Sequence, residues 1–327
     1  MLPTTDGLVT LRAPAPGDAP VLVAGRDDEW RRWLGPGDDE PRPTACVVVG
    51  REIVGWVDYD VDADHDWLRP GSVNVGYGLF APYRGRGYAT RAVQLLVHHL
   101  AVDGKYRAAT LLIDEANERS LAVAQRTGFE PAPSPRPGQR YFTRALPPLT
   151  YTDGVVTIRR PRVDDLDADL AAKDGEQIRW MWDPGERERW AAMTSGEQRA
   201  HAHLGLAERV GAWGHGPKWV FFVDDADAAD VASIDCDLAN DHVPPGEANV
   251  AYSAHPAHRG KGYVSRSVRL AAEFLRDHTG ARELHIRVDA ENQPSLRVAR
   301  AVGAAEVERR AGDDGRTMIR HVVVIDR

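Results

Sequence analysis

The chain has 327 residues, 43% hydrophobic and 28% charged, with a formal net charge of −8. That length suits about two domains of ~150 residues, each able to bury a core, and the acidity argues against nucleic acid as main partner, because phosphate binding needs a positive field. No apolar run approaches the ~20 residues of a membrane span and no charged-then-apolar leader opens the chain, so a cytoplasmic protein without a membrane partner is expected; the mild acidity weakly favours a cationic acceptor.

In chain order, a strand is predicted at Leu8–Leu11 and a helix at Glu29–Leu34. Ala45–Val49, Ile53–Asp60 and Ser72–Phe80 are rich in β-branched residues with turn residues between them, and read as three strands. A helix from about Ala89 to Leu100 sets Ala89, Val93, Leu96, Val97 and Leu100 on one face, with His98 and His99 expected at the surface. Ala109–Asp114 is the next strand. Asn117-Glu118-Arg119-Ser120 then starts a short helix, Ser120 to Thr127, and Gly128 stops it. Leu146-Pro147-Pro148-Leu149 interrupts helix and strand patterning alike. The predicted domains are therefore 1–147 and 151–327.

Beyond that boundary the same landmarks return in the same order. Asp6-Gly7 with Thr10 to Arg12 recurs as Asp153-Gly154 with Thr157 to Arg159, and Asn74-Val75-Gly76-Tyr77 as Asn249-Val250-Ala251-Tyr252. Arg84-Gly85-Arg86-Gly87-Tyr88 recurs as Arg259-Gly260-Lys261-Gly262-Tyr263. Asn117 and Ser120 recur as Asn292 and Ser295, and Gly128 as Gly303. The chain is an internal duplication. Copy two adds a stretch from roughly Asp183 to Gly216, rich in Trp, Glu, Arg and His, that copy one lacks. Cys46 and Cys236 sit in strand-like runs with no CxxC or His partner pattern, and read as buried thiols.

The informative element is a strand, a glycine-rich loop and an amphipathic helix, present twice. Glycines let backbone N–H groups turn toward one point, and the helix start adds its positive dipole end, so the site suits a pyrophosphate. Arg84, Arg86, Arg259 and Lys261 can add charge. A dinucleotide fingerprint needs a third small residue where Thr90 stands, and Gly260-Lys261-Gly262 is not a P-loop. Arg84-x-x-Gly87-x-Ala89 resembles the GNAT signature that grips coenzyme A, and Tyr77, Asn117-x-x-Ser120 and Gly128-Phe129 resemble other marks of that superfamily, with the layout closest to its RimJ/RimL-like branch. The resemblance implies an α/β fold of three layers, α+β in arrangement: two GNAT-like acyl-CoA N-acyltransferase domains, each a mixed central sheet flanked by helices.

It further implies acetyl-CoA as co-substrate, held by Leu79, Phe80, Arg84, Gly85, Arg86, Gly87, Tyr88, Ala89, Thr90 and Asn117 in copy one. In copy two the matching residues are Arg259, Gly260, Lys261, Gly262, Tyr263, Val264, Ser265 and Asn292. Val264 departs from the signature, which has Gly or Ala there. Copy one, with the cleaner loop, is expected to bind more tightly. An alkylammonium, with pKa ~10.4, must lose a proton before it can attack the thioester. The glutamate this branch often uses is replaced by Asn74 and Asn249, so Asp58, Asp60 and Asp235 are the base candidates, with Asp237 beside them. Ser120 and Ser295 are candidate acids toward the leaving thiolate, or else helix N-caps. No metal is expected, since the histidines lack cysteine or carboxylate partners at ligand spacing. The implied function is N-acetylation of a small-molecule primary amine, by a monomer or homodimer; a protein N-terminal amine, or CoA binding without turnover, is the alternative.

Overall fold

The computed structural model describes residues 3–61, 67–311 and 316–325. They fall into two compact units: Met1–Pro148 with Arg276–Gly280, and Leu149–Leu275 with Ala281–Asp326. Each is built on a mixed eight-stranded sheet flanked by helices. Among the described residues no helix is long and apolar enough to cross a membrane.

The first unit opens with β1 (Thr4–Thr5) and β2 (Val9–Arg12), joined by a turn at Gly7, whose φ of 81° favours glycine. Asp6 stiffens that turn by accepting from the amides of Leu8 and Val9. Two short helices follow, α1 (Ala19–Ala24) and α2 (Asp28–Leu34), then β3 (Ala45–Val49), β4 (Glu52–Asp60) and β5 (Ser72–Leu79). Helix α3 (Tyr88–Asp103) returns across the sheet to β6 (Ala108–Asp114), and α4 (Glu118–Arg126), β7 (Glu130–Ala132) and β8 (Gln139–Ala145) complete the unit. The sheet runs β1-β2-β3-β4-β5-β6-β8-β7, and only β5 and β6 are parallel neighbours. Val9, Leu11, Val47 and Val57 from the strands and Val93, Leu96, Val97 and Leu100 from α3 share one core. His98, expected at the surface, is fully buried.

The second unit repeats the plan with β9 (Tyr151–Thr152), β10 (Thr157–Arg159), α5 (Leu166–Ala171) and α6 (Gly175–Met181). The stretch unique to it folds as α7 (Pro184–Ala192) and α8 (Ser195–Ala212). Each begins with a capping box, Asp183 with Glu186 and Thr194 with Glu197. Then come β11 (Lys218–Asp224), β12 (Ala232–Asp237), β13 (Ala248–Ala254), α9 (Tyr263–His278), β14 (Glu283–Asp289), α10 (Gln293–Ala301), β15 (Ala305–Ala311) and β16 (Thr317–Val324). The parallel pair is now β13 and β14. Cys46 and Cys236 are both free and buried, and burial raises the Cys46 thiol to about 11.

One packing site differs sharply between the units. In the first, Leu22, Cys46 and Phe80 form a small apolar cluster with Ile53 against it. By alignment, Leu22, Phe80 and Ile53 correspond to Asp169, His255 and Asp230, and all three of these are buried. Asp169 is bound by Lys173 at 2.6 Å and Arg209 at 3.0 Å, whereas neither carboxylate oxygen of Asp230 has a hydrogen-bond partner. Burial first, then the nearby Asp169 and Asp165, push the Asp230 carboxyl up to about 8. A folded pKa raised above the unfolded one contributes stability at low pH that is lost as pH rises through the folded value. Asp230→Asn should therefore stabilise the protein increasingly between about pH 4 and pH 8, by at most about 1.4 kcal/mol per pH unit. Urea unfolding at pH 5 and pH 8 checks this, and an equal effect at both would contradict it.

Candidate acyl-CoA site

The two glycine-rich loops have the same build. After β5 a single 3-10 turn, Ala81–Tyr83, leads into Arg84-Gly85-Arg86-Gly87, with Gly85 at φ 76° and Gly87 at φ 80°. Gly260 and Gly262 both sit at φ 78° in the second unit. A side chain would meet open space at all four positions, so backbone conformation is what selects glycine. Gly87 is the N-cap of α3 and offers no side-chain acceptor. The amides of Tyr88, Ala89 and Thr90 belong to the first helical turn and have no intrahelical acceptor. Among the described residues, the amides of Gly85, Arg86 and Gly87, and of Gly260, Lys261 and Gly262, also find no backbone acceptor. Each loop is thus a concave set of free N–H donors at a helix start, which is an anion site by geometry and dipole.

The side chains around these amides are placed otherwise than their sequence suggests. Arg84, read as a phosphate ligand, is clamped inside the protein. Its guanidinium takes Asp27 through both terminal nitrogens at 2.6 and 2.8 Å, Glu29 at 2.9 Å, and the Leu79 carbonyl through Nε at 3.0 Å. Arg259 does the same with Asp174, at 2.7 Å twice, and with Glu176 at 2.9 Å. Arg84 holds the Asp27 carboxyl down at about 2, and Arg259 lowers that of Asp174. Asp27 and Asp174 are also the N-caps of α2 and α6. Leu79 and Phe80 turn their side chains into the core and offer a ligand only main chain. Thr90 is buried and receives the Arg126 guanidinium. Arg86 lies over the Tyr83 ring and Lys261 over Tyr263, at 5.9 and 5.7 Å, with neither ion-paired to a carboxylate among the described residues.

The parallel strands part just before the loop. Pairing of β13 with β14 ends at Val250 opposite Ile286, and that of β5 with β6 at Asn74 opposite Thr110. In the second unit the resulting wedge opens into a cavity of about 730 Å³. Trp180 and Met181 of α6, Asn249–Ala254 of β13, the loop residues Gly260 and Gly262, and Ser295 of α10 line it, as do Tyr263, Val264 and Ser265. In the first unit two buried or half-buried indoles occupy the equivalent space: a Cβ on Gly78 would lie 2.9 Å from Trp30 Nε1 and 3.0 Å from Trp56 Nε1. Gly78, Trp30 and Trp56 align with Ser253, Gln177 and Ser233. These smaller polar groups bond one another instead, with Ser253 Oγ 3.0 Å from both Gln177 Nε2 and Ser233 Oγ.

The acetyltransferase (GNAT) domain family model matches residues 9–130 and again 156–305. The chain belongs to that family, twice over. It is a tandem GNAT-family N-acetyltransferase. Among solved structures similar to it is the GNAT-family acetyltransferase from Bacillus anthracis, 14% identical, covering 54% of this chain and 98% of that one, with a TM-score of 0.43. Mycobacterium smegmatis RimJ in complex with CoA-disulfide is 19% identical over 52% of this chain and 82% of its own, TM-score 0.42. The ribosomal-protein-S5-alanine acetyltransferase from Vibrio fischeri is 14% identical over 54% and 97%, TM-score 0.44. No curated protein matches the sequence.

Within this GNAT frame the candidate acids and bases separate. Asn117 and Asn292 are the N-caps of α4 and α10, each accepting from the amide of Ser120 or Ser295 at 3.1 Å. The capping role the serines were weighed for therefore belongs to the asparagines, and both helices begin before the serine. Ser295 Oγ is 2.8 Å from the Tyr252 hydroxyl, whose pKa burial pushes up to about 12. The first-unit pair is looser: the buried Tyr77 hydroxyl makes no well-formed hydrogen bond among the described residues, and the nearby Ser120 only moderates the pKa that burial raises. Asp58 is fastened to the amides of Thr44 and Tyr59 at 3.0 Å each, and Asp60 faces Asn74 Nδ2 at 3.4 Å. Asp235 differs. It pairs with Lys218 at 2.9 Å through one oxygen, its other oxygen has no hydrogen-bond partner, and burial raises its pKa. Among the described residues no cluster of three or more His, Cys, Asp or Glu could hold a metal ion. The clamp carboxylates and Gln177 escaped the sequence reading, although Asp-x-Glu at the start of both α2 and α6 was a usable signal.

Asp174→Ala removes an N-cap and strips Arg259 of its bidentate partner. Both groups are about one-third exposed, so the lost cap dominates and the cost is about 1–2 kcal/mol. Chemical denaturation measures it, and an unchanged midpoint would show that the clamp holds nothing.

Proposed function

We propose that residues 151–327 form the catalytic domain of an acetyl-CoA-dependent N-acetyltransferase acting on a primary amine of a small molecule, with residues 1–147 as a companion domain. The observation that carries this is the second-unit cavity, which connects the free loop amides, the unpaired edge of β13 and the Tyr252–Ser295 hydroxyl pair. The residues suit the co-substrate: the Gly260–Ser265 amides fit a diphosphate, and the wedge between β13 and β14 accommodates an extended arm. Acetyl-CoA supplies an activated acetyl group whose bond to sulfur is exchanged for a bond to the amine nitrogen.

The protein's part is alignment and proton management. Main-chain groups of Ala251–Ala254, released from pairing with β14, hold the acyl group beside the acceptor. Asp235 Oδ1, opposite Ala251 in the ladder, accepts the proton the ammonium must lose; burial raises its pKa and makes it a stronger base than an ordinary carboxylate. Ser295, backed by the neutral Tyr252 hydroxyl, gives a proton to the departing sulfur. The small cavity under Trp180 and Met181 supports a small-molecule acceptor over a protein terminus. In the first domain the indoles over Gly78 favour binding without turnover, so the tighter binding its cleaner loop suggests is separate from where the chemistry runs.

Two measurements test the assignment. Thiol release over a panel of amines should fall about tenfold or more in Ser295→Ala and stay unchanged in Ser120→Ala. Gly262→Asp should abolish both turnover and one acetyl-CoA site by calorimetry, whereas Gly87→Asp should leave turnover intact. Loss of turnover in Gly87→Asp would place the chemistry in the wrong domain. Because the Asp235 carboxyl is raised, the acid limb of kcat/KM should lie above the ordinary carboxylate range, and Asp235→Asn should remove that limb.

A further inference from the structure

Arg287 stands in the second-unit cavity without a structural reason to be charged. It lies on β14, two residues beyond His285, which pairs with Asn249 of β13. Paired residues share a face of the sheet and every second residue returns to it. Arg287 is therefore on the face of Asn249, Ala251 and Ser253, just past the point where the strands separate, and all four line the cavity.

Among the described residues no carboxylate forms an ion pair with it. The charged groups acting on it are Glu308 and Arg320, and Glu308 is already bound by Arg320 at 2.8 Å. Arg320 is directly opposite Arg287 in the ladder with β16, an arrangement of like charges that costs stability. Burial also weighs against the guanidinium and lowers its pKa. Arg259, by contrast, has both Asp174 and Glu176. The fold does not need the charge: at the same ladder position the first unit pairs Leu112 with Tyr141. A partly desolvated arginine that faces a second arginine, opens on a cavity and has no ion-pair partner among the described residues is placed to receive an anion from the cavity.

We propose that Arg287 recognises an anionic group on the acceptor, so that the substrate is an amine that also bears a carboxylate or a phosphate. This rests on reading the second-unit cavity as the acceptor site, and it sets local charge above the chain's net acidity, which pointed weakly to a cationic acceptor.

The test uses matched pairs on the full-length protein: alanine against alaninamide, and O-phosphoethanolamine against ethanolamine. Thiol release gives kcat/KM, and calorimetry on the protein saturated with acetyl-CoA or CoA gives affinity independent of turnover. The acidic member of at least one pair should be favoured by about tenfold or more, and which pair responds tells carboxylate from phosphate. Arg287→Leu should erase that preference through KM, and Arg287→Lys should restore part of it. Turnover with equal preference for neutral amines, or a preference unmoved by Arg287→Leu, overturns the inference and leaves the enzymatic reading standing. Arg287-dependent binding of the acidic amines without any thiol release does the reverse. No binding of either acidic amine overturns the inference.

Discussion

In each half of this chain one guanidinium, Arg84 or Arg259, ties together a strand end, a loop and a helix start. It binds a main-chain carbonyl behind it, Leu79 or Ala254, and an aspartate that is itself capping a helix, Asp27 or Asp174. Bidentate, charge-assisted contacts of this kind fix geometry as well as adding energy. The loop can then hold its glycines in the left-handed region with its amides facing outward and unpaired. Because the arginine's charge is already met within the protein, the loop's attraction for phosphate has to come from oriented N–H groups and the helix start, with Arg86 or Lys261 as supplements.

On that shared frame the two halves have diverged in a consistent direction. Where the first packs Leu22, Ile53 and Phe80, the second buries Asp169, Asp230 and His255. Where the first stacks Trp30 and Trp56 over Gly78, the second keeps Gln177, Ser233 and Ser253 and an open cavity. Where the first pairs Leu112 with Tyr141, the second opposes Arg287 and Arg320. Filling a cavity with large side chains stabilises a domain, and retaining buried polar groups costs it. That contrast between large apolar and smaller polar side chains is what supports the proposal that the second half carries the chemistry.

Ser295, the proposed acid, illustrates how a motif is divided between neighbours. Asn292 and Ser295 recur with Asn117 and Ser120 at one spacing, and either residue type is a good N-cap. Since the asparagine takes the cap, the serine hydroxyl is free to meet Tyr252, a residue 43 positions away in the sequence. The strand aspartates differ in partner. Asp58 accepts from the Thr44 amide and hydroxyl through Oδ1, while Asp235, its counterpart, pairs with Lys218 through Oδ2 and keeps Oδ1 buried without a hydrogen-bond partner among the described residues.

Local patterning by itself determined the duplication, the order of strands and helices, the glycine loops and the family. Period-two and helical spacing, and φ values only glycine readily adopts, are properties of neighbouring residues. Strand edges such as those of Ala45–Val49 were legible for that reason. Only the tertiary structure decided which arginines are free, which half is hollow, and that His98 is buried. Those outcomes depend on partners tens of residues away: Asp27 for Arg84, Trp30 and Trp56 for Gly78, and Arg320 for Arg287. Pairing and volume are set by where the chain returns to itself, and one-dimensional periodicity carries no record of that.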